Sequence, residues 1–152
     1  MVRVFIAGIM QGSKTEKSLH SQDYRKEITE LLTDHLPGAS VYDPFEKNQN
    51  SLNYAQETGR DTFLRHNKQC GSEVDLLIAF VPEASMGTAI EMWEAWKNGA
   101  VVISISPMAR NWAVRFLSHK VYPTLEDFRE GVKNGDLDPK NFPDLLHSGG
   151  TR

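Results

Sequence analysis

Residues 74–98 read VDLLIAFVPEASMGTAIEMWEAWKN, and this stretch decides the fold. It contains an unbroken apolar run from Leu76 to Phe80, which is typical of a strand covered on both faces, as in a parallel sheet. Pro82 to Met86 then make a tight connection, and the residues from Gly87 to Asn98 are predicted to form a helix. Strand, connection and helix together are the unit from which α/β folds are built.

The same alternation extends along the rest of the chain. Buried strands are predicted at Val2–Ala7, Ala39–Tyr42, Val74–Val81 and Val101–Ile105. The predicted helices are Ser21–His35, a helix from Ala55 or Thr58 to Gln69 that Gly71 terminates, Gly87–Asn98, Arg110–Ser118 and Leu125–Lys133. The segment from Asp43 to Tyr54 has no clear period and is predicted to be a loop. This order predicts one α/β domain over residues 1–147, with a doubly wound, flavodoxin- or Rossmann-like parallel sheet in three layers, α/β/α. A flexible tail is predicted at residues 148–152.

Composition and charge narrow the class of protein. Of the 152 residues, 39% are hydrophobic and 24% are charged, which is typical of a globular domain. The formal net charge of −3 argues against a nucleic-acid polymer or an anionic membrane as the main partner. No run approaches the ~20 apolar residues of a membrane helix. The chain has one cysteine, Cys70, so neither an internal disulfide nor a zinc site is expected, and no other cofactor is implied. We expect a cytoplasmic protein whose ligand is a small molecule.

Ligands of doubly wound sheets bind outside the carboxyl ends of the strands, near the point where the strand order reverses. The first loop there, Gly8 to Ser13, is similar to a P-loop, which needs four residues between its glycines and a lysine directly after the second. Here three residues separate Gly8 from Gly12, and Ser13 precedes Lys14, so a triphosphate loop is not predicted. Two interpretations remain. The segment is an ordinary turn, or its backbone N–H groups and the Ser13 hydroxyl hold a phosphate or a sugar edge.

The second loop leads into the helix that carries Glu91. Ser85 is predicted to cap this helix, and Gly87 lets a ligand approach the backbone at its start. A helix N-terminus offers free N–H groups and a positive dipole end, which suit a phosphate. Glu91 is predicted about one turn into the helix, leaning back toward the crevice. The alternative is a surface carboxylate favoured by the helix dipole, as Glu94 is interpreted to be.

Three segments taken together resemble the nucleoside 2-deoxyribosyltransferase family, over roughly residues 2–107. They are Phe5-Ile6-Ala7-Gly8, the strand Asp75–Phe80, and Ser85-Met86-Gly87-Thr88-Ala89-Ile90-Glu91. The resemblance implies that Glu91 is the carboxylate at C1′, which stabilises or captures the positive charge that forms when an N-glycosidic bond breaks.

The branch of this family that acts on nucleoside 5′-monophosphates, which includes cytidylate hydrolases, matches the chain best. The resemblance to this branch implies a 5′-phosphate site with two sides. One side is formed by Ser85, Met86 and Gly87. The other is formed by Gly8, Ile9 and Gly12 and by the turn that includes Ser13. A contact with the base is expected from the Asp43–Tyr54 segment, with Asp43 as a candidate.

Two positions depart from the family pattern. Deoxyribose-specific members carry a tyrosine where this chain has Phe5, and the missing hydroxyl leaves room for a ribose 2′-hydroxyl. Alternatively, Phe5 is only a buried strand residue. Members usually carry an aspartate on the helix before the Asp75 strand, where this chain has Asn67. Because an amide cannot donate a titratable proton, Asp61, His66 or Asp43 is expected to supply the acid, unless the base leaves with the help of water.

The resemblance also implies a homodimer or a dimer of dimers with a shared active site. Asn111 or Ser118 would then reach a phosphate in the neighbouring subunit, and the alternative is a solvated helix face. The function it implies is hydrolysis of a nucleoside 5′-monophosphate to free base and sugar phosphate. Base exchange between deoxynucleosides is the next hypothesis. A phosphoribohydrolase of the cytokinin-activating type matches less well, since Pro82 is not followed by two glycines. A non-catalytic nucleotide sensor is the fourth hypothesis, because of Asn67.

Overall fold

The computed structural model describes residues 1–148. Its strands are β1 (Arg3–Gly8), β2 (Ser40–Tyr42), β3 (Leu76–Phe80), β4 (Val101–Ile105) and β5 (Lys120–Tyr122). Its helices are α1 (Asp23–His35), α2 (Pro44–Lys47), α3 (Gln56–Ser72), α4 (Met86–Lys97), α5 (Trp112–Leu117), α6 (Leu125–Lys133) and α7 (Phe142–Ser148), with 3₁₀ turns at Ser51–Asn53 and Pro139–Asn141. Within this part of the chain, no helix is both long and apolar enough to cross a membrane.

The strands of residues 1–148 form one parallel sheet in the order β2-β1-β3-β4-β5. This is the flavodoxin-like order of a doubly wound fold, as predicted. Strand β1 lies between β2, where Phe5 is opposite Tyr42, and β3, where Gly8 is opposite Phe80. The chain winds in opposite directions from these two strands, so the ligand crevice of this fold opens between the carboxyl ends of β1 and β3.

Alternate residues of the strands pack against two different layers of helices. Val4 and Ile6 of β1 belong to a buried cluster that includes the apolar side chains of α1 and α6. Phe5 belongs to the other cluster, which joins the sheet to Cys70 of α3 and Met92 of α4. Each fully buried side chain of this size contributes about 1.5–3 kcal/mol of hydrophobic free energy. The three-layer arrangement predicted from the sequence is therefore confirmed.

Five elements were not predicted, because each is too short to show a period. The segment predicted as a loop contains α2 and a 3₁₀ turn, and α2 begins where the Asp43 carboxylate accepts the N–H of Phe45 (2.9 Å), with Pro44 at the first helical position. The other three are strand β5, the 3₁₀ turn at Pro139–Asn141 and helix α7. Helix α7 includes Ser148, the first residue of the predicted tail, and residues 149–152 lie outside the described residues.

Helix α3 also extends further than predicted. It continues through Gly71, which was expected to terminate it, and ends at Ser72. A Cβ atom at position 71 would lie 3.2 Å from both Asn98 and Glu94. The glycine therefore allows α3 to pack closely against α4, and it does not stop the helix.

Candidate active site

The crevice begins where β1 and β3 end. The N–H of Ile9 donates to the carbonyl of Phe80 (3.0 Å), which extends the pairing by one residue beyond Gly8. A Cβ atom at Gly8 would lie 2.8 Å from the ring of Tyr24, whose hydroxyl donates to the Ile9 carbonyl (3.1 Å). Gly8 and Ile9 thus fix the start of the β1–α1 loop, residues 9–22. Both were predicted to bind the substrate, and here they shape the loop that borders the crevice.

Glu91 is the sixth residue of α4, and its side chain is partly exposed. Burial raises the pKa of its carboxyl group to about 7, and the positive charge of Arg25 opposes the rise. Burial raises the pKa of Tyr24, Tyr42 and Cys70, and the Glu91 charge raises each of them further, so these groups lie within reach of its field. Among the described residues the carboxylate forms no hydrogen bond or ion pair. A desolvated carboxyl group that titrates near neutrality is characteristic of catalytic sites.

Arg25 is the cation that acts on Glu91, and it is only 3% exposed. Its guanidinium donates to the carbonyls of Ile6 (2.9 Å) and Gly8 (3.3 Å), and so holds the carboxyl end of β1. It also pairs with the carboxylate of Asp43 (2.8 Å) and donates to the side-chain carbonyl of Gln22 (2.7 Å). These bonds join α1, the end of β1 and the start of α2 around the crevice.

Sequence reasoning did not identify Arg25. In α1 the residue lies beside the apolar face formed by Tyr24, Ile28 and Leu32. A charged side chain within or next to an apolar arc is a signal of a buried ion pair, because burial of an unpaired charge is costly. Its partner could not be inferred, since Asp43 lies 18 residues further along the chain.

Three rings lie on the α3 side of the crevice. Phe5 is fully buried and stacks on Tyr42, with ring centroids 5.4 Å apart. The edge of the His66 ring meets both, at centroid distances of 6.4 Å from Phe5 and 6.0 Å from Tyr42. Burial lowers the pKa of His66, and the charges of Arg65 and Arg25 lower it further.

A cavity of about 430 Å³ opens beside His66, the one of these three rings that lines it. Its walls come from the β1–α1 loop, from the segment that follows β2, and from α3. They include Met10, Gln11, Lys17 and Leu19 of the loop, Pro44, Asn48 and Tyr54 of the segment, and Thr62, Phe63 and His66 of α3. Glu91 does not line this cavity, but its charge acts on Tyr42, which packs against His66 in the cavity wall. The volume lies in the range of small-molecule sites.

The start of α4 faces solvent beside the crevice. The Ser85 hydroxyl caps the helix as predicted, at 3.5 Å from the N–H of Thr88 and 2.8 Å from its hydroxyl. Met86 is 82% exposed. A Cβ atom at Gly87 would meet nothing within 4 Å, and the backbone there does not require a glycine. The fold itself therefore gives no reason for a glycine at this position, which leaves close approach of a ligand as an explanation.

The β1–α1 loop is tightly turned and contacts the β3–α4 loop, residues 81–85. Gly12 has a φ of 57°, and a Cβ atom there would lie 2.9 Å from His20. Nε2 of His20 is 3.0 Å from a carboxylate oxygen of Glu83, although the angles do not give a hydrogen bond. Ser13 is exposed. The two loops chosen from the sequence are thus neighbours.

The candidates for the acid lie in different environments. Asp61 is exposed and is not part of the cavity wall, whereas His66 is. Asp43 already accepts hydrogen bonds from Arg25 and from the N–H of Phe45. Asn67 donates to the carbonyl of Phe63 (2.8 Å), and its Oδ1 is buried without a partner among the described residues. A buried acceptor without a donor is costly unless a ligand satisfies it.

Asn111 and Ser118 lie apart from the cavity wall of their own chain. Asn111 caps α5 by accepting the N–H groups of Ala113 (3.0 Å) and Val114 (3.4 Å). Ser118 follows the last residue of α5, and its hydroxyl is 2.6 Å from the hydroxyl of Ser104 in β4. Each therefore has a structural role within its own chain.

The chain is similar in structure to several solved proteins. No protein-family model matches the sequence, and no curated protein sequence matches it either. The chain is similar in structure to the 2-deoxyribosyltransferase of Bacillus psychrosaccharolyticus, with a TM-score of 0.63 and 17% identity over 93% of this chain and 96% of that one. A conserved protein of Enterococcus faecalis V583 gives a TM-score of 0.60 and 17% identity over 89% and 99% of the two chains. The CMP N-glycosidase BcmB of Clostridium botulinum gives 0.50 and 21% over 87% and 98%. The fold implied by the sequence resemblance is therefore confirmed.

Proposed function

We propose that this chain is an enzyme that hydrolyses the N-glycosidic bond of a nucleoside 5′-monophosphate, releasing the free base and the sugar 5-phosphate. The observation that carries the proposal is Glu91, a desolvated carboxyl group with a pKa of about 7 at the switch point of the sheet. Its carboxylate is free of hydrogen bonds within the described chain, so it is available to a substrate. Two of the similar structures are enzymes whose names describe deoxyribosyl transfer and CMP N-glycoside cleavage.

In this mechanism the ionised Glu91 faces C1′ of the sugar. As the bond from C1′ to the base breaks, positive charge forms on the sugar ring, and the carboxylate stabilises or captures it. The stabilisation is strong because Glu91 has few competing partners in a poorly solvated site. Water then forms the new bond to C1′, and its proton replaces the sugar on the departing base.

The phosphate is assigned to the start of α4. The Ser85 hydroxyl, the free N–H groups there and the open approach at Gly87 suit an anion. Met86 lies between them and is exposed, so its backbone is also accessible to a ligand. The turn at Gly12 and Ser13 is assigned to the opposite side of the phosphate, since the contact of His20 with Glu83 holds the two loops together.

The base is assigned to the cavity that His66 lines. Of the candidate acids, His66 lines this cavity, and we therefore propose that it contacts the leaving base. The unpaired Oδ1 of Asn67 would accept a hydrogen bond from the substrate, and Asp43 would act by holding Arg25 and α2. Asp61 remains a candidate only if α3 moves when substrate binds. Phe5, which carries no hydroxyl beside the sugar, favours a ribonucleotide.

Base exchange between deoxynucleosides is the alternative that an observation favours. The 2-deoxyribosyltransferase gives a higher TM-score, 0.63, than the CMP N-glycosidase, 0.50. In that reaction a second base and not water attacks C1′, so the two functions differ only in the final acceptor. A non-catalytic nucleotide sensor would keep the same cavity, and it is the third possibility.

A second copy of the chain is proposed to cover the outer face of α3, α4 and α5. Among the described residues, these three helices expose seven large apolar side chains, more than a monomer usually leaves in contact with water. They are Phe63, Leu64, Met86, Ile90, Trp93, Trp112 and Phe116. Asn111 precedes Trp112 at the edge of the face, so a homodimer or dimer of dimers would carry Asn111 or Ser118 toward the neighbouring active site. The proposed location is the cytoplasm.

The test is incubation with ribo- and deoxyribonucleoside 5′-monophosphates and with free nucleosides, followed by chromatography for released base. We expect base from at least one monophosphate and none from the Glu91→Ala variant. Release that requires a second base would favour exchange over hydrolysis. If no base is released although nucleotides bind measurably, the sensor replaces the enzyme.

A further inference from the structure

The amide of Asn48 connects two side chains of the cavity wall. Asn48 is 5% exposed, and its Oδ1 accepts the hydroxyl of Tyr54 (3.0 Å). Its Nδ2 donates to the carbonyl of Pro44 (2.7 Å) and lies 3.4 Å from Nε2 of His66. None of these contacts can be inferred from the sequence, because they join residues from α2, the following segment and α3.

The orientation of this amide is determined by its partners. The carbonyl of Pro44 can only accept, so the nitrogen of the Asn48 amide and not its oxygen must face it. The second hydrogen on Nδ2 is then directed at Nε2 of His66, which must carry a lone pair. In a neutral imidazole with an unprotonated Nε2, the proton is on Nδ1. A cationic ring would bring one N–H against another.

The charges around His66 also favour its neutral form. Arg25 from α1 and Arg65 from α3 both lower the pKa of His66, and burial lowers it more than either. The ring packs against Phe5 and Tyr42, which are uncharged. No carboxylate is among the groups that act on it. Within residues 1–148, the imidazole therefore has no carboxylate partner that would stabilise a positive charge.

We propose that Asn48 is a positioning residue that holds His66 as the neutral Nδ1–H tautomer, so that His66 offers the substrate an N–H donor and not the proton of a cation. This inference rests on the proposed function, in which His66 contacts the leaving base. The ligand class is then a base with an acceptor, a ring nitrogen or a carbonyl oxygen, beside its glycosidic nitrogen. The C1′–N bond breaks with the electron pair on the base, water forms the C1′–O bond, and the water proton passes to the base.

The experiment is a long-range ¹H–¹⁵N correlation spectrum of protein labelled with ¹⁵N-histidine, recorded from pH 5 to 8 without substrate. A His66→Gln variant identifies the His66 signals among those of the five histidines. We expect a protonated Nδ1 and an unprotonated Nε2 at pH 7. In Asn48→Asp a carboxylate faces Nε2, so we expect protonation at Nε2 and a midpoint at higher pH. Tyr54→Phe is the matched control, because it removes one bond of Asn48 and leaves the Nδ2 donor in place.

A wild-type His66 that is cationic at pH 7, or that carries its proton on Nε2, overturns the proposal without any variant. An unchanged His66 spectrum in folded Asn48→Asp does so as well. For the proposed N-glycosidic hydrolysis, Asn48→Asp should lower kcat by about tenfold or more at pH 7, with a smaller change in KM. Because the spectra need no turnover, an absence of base release with the expected tautomer would refute the proposed function and leave the tautomer assignment standing.

Discussion

Replacement of Glu91 by glutamine is expected to stabilise the folded protein at neutral and alkaline pH. Burial raises the pKa of this carboxyl from an ordinary value of 4.5 to about 7. At about 1.4 kcal/mol for each pH unit, the ionised side chain costs the folded state about 3 kcal/mol. Below pH 4.5 the carboxyl is protonated in both states, so the cost is absent. Between pH 4.5 and 7 the unfolded chain releases its proton first, and the stability of the wild type falls. Above pH 7 the cost is complete.

Urea unfolding of the wild type and of Glu91→Gln at pH 4, 6 and 8 measures this difference. At pH 8 the variant should unfold at about 1.5 M higher urea, for an m-value of about 2 kcal/mol per M. At pH 4 the two curves should nearly coincide. Glu94→Gln is the matched control on the same helix, because Glu94 forms only a surface pair with Lys97 (2.9 Å). A Glu91→Gln curve that follows the wild type at pH 8, or that differs from it equally at pH 4, would refute the burial argument.

Variants at five further positions test the rest of the structure. Arg25→Met should lower the free energy of unfolding in urea by about 3–5 kcal/mol, because it leaves the carboxylate of Asp43 without its partner. It should also shift the acidic side of the pH profile of kcat/KM to higher pH, because the positive charge that lowers the pKa of Glu91 is lost. Arg25→Lys, which keeps the charge, should shift this profile less. Gly12→Ala should destabilise the fold by about 1–2 kcal/mol, since its φ is 57°. Gly87→Ala should leave the urea midpoint of unfolding unchanged from the wild type. It should raise KM for nucleoside monophosphates and not for free nucleosides. An equal rise in KM for both would contradict the assignment of the phosphate to the start of α4. Phe5→Tyr should shift the ratio of kcat/KM toward deoxyribose substrates, and an unchanged ratio would exclude Phe5 as a determinant of sugar preference. Trp112→Asp should halve the mass seen by sedimentation if the apolar face joins two copies, and a monomeric wild type would contradict that assembly.

The sequence predicts most reliably those elements whose signals are local. The apolar run of β3, the bounds of β4 and α6, and the cap at Ser85 are observed as predicted, because each depends on neighbouring residues alone. The phase of α3 was harder to predict. Its apolar Phe63 and Leu64 are exposed, so hydrophobicity does not indicate which face is buried, and Asp61 and His66 could not be ranked.

Contacts between distant segments could not be predicted. The topology of the sheet brings Arg25 to Asp43 and Asn48 to His66, and in each pair the residues are 18 positions apart in the chain. No period or motif connects such pairs. They depend on the end of β1 lying between β2 and β3, which is known only when the strand order is known.

The arrangement of charges explains how a buried arginine and a desolvated, partly exposed glutamate can share one site without neutralising each other. Arg25 directs its guanidinium at Asp43 and at the carbonyls of Ile6 and Gly8, and it acts on Glu91 only through its field. A direct ion pair would hold the pKa of Glu91 below its ordinary value and occupy the oxygens that the sugar cation needs. Without any cation, burial would raise the pKa of Glu91 further and so favour the protonated, inactive form at neutral pH. With Asp43 as the partner of Arg25, the pKa of Glu91 is about 7, so a fraction of the carboxyl groups is ionised at neutral pH and their oxygens remain available to the substrate.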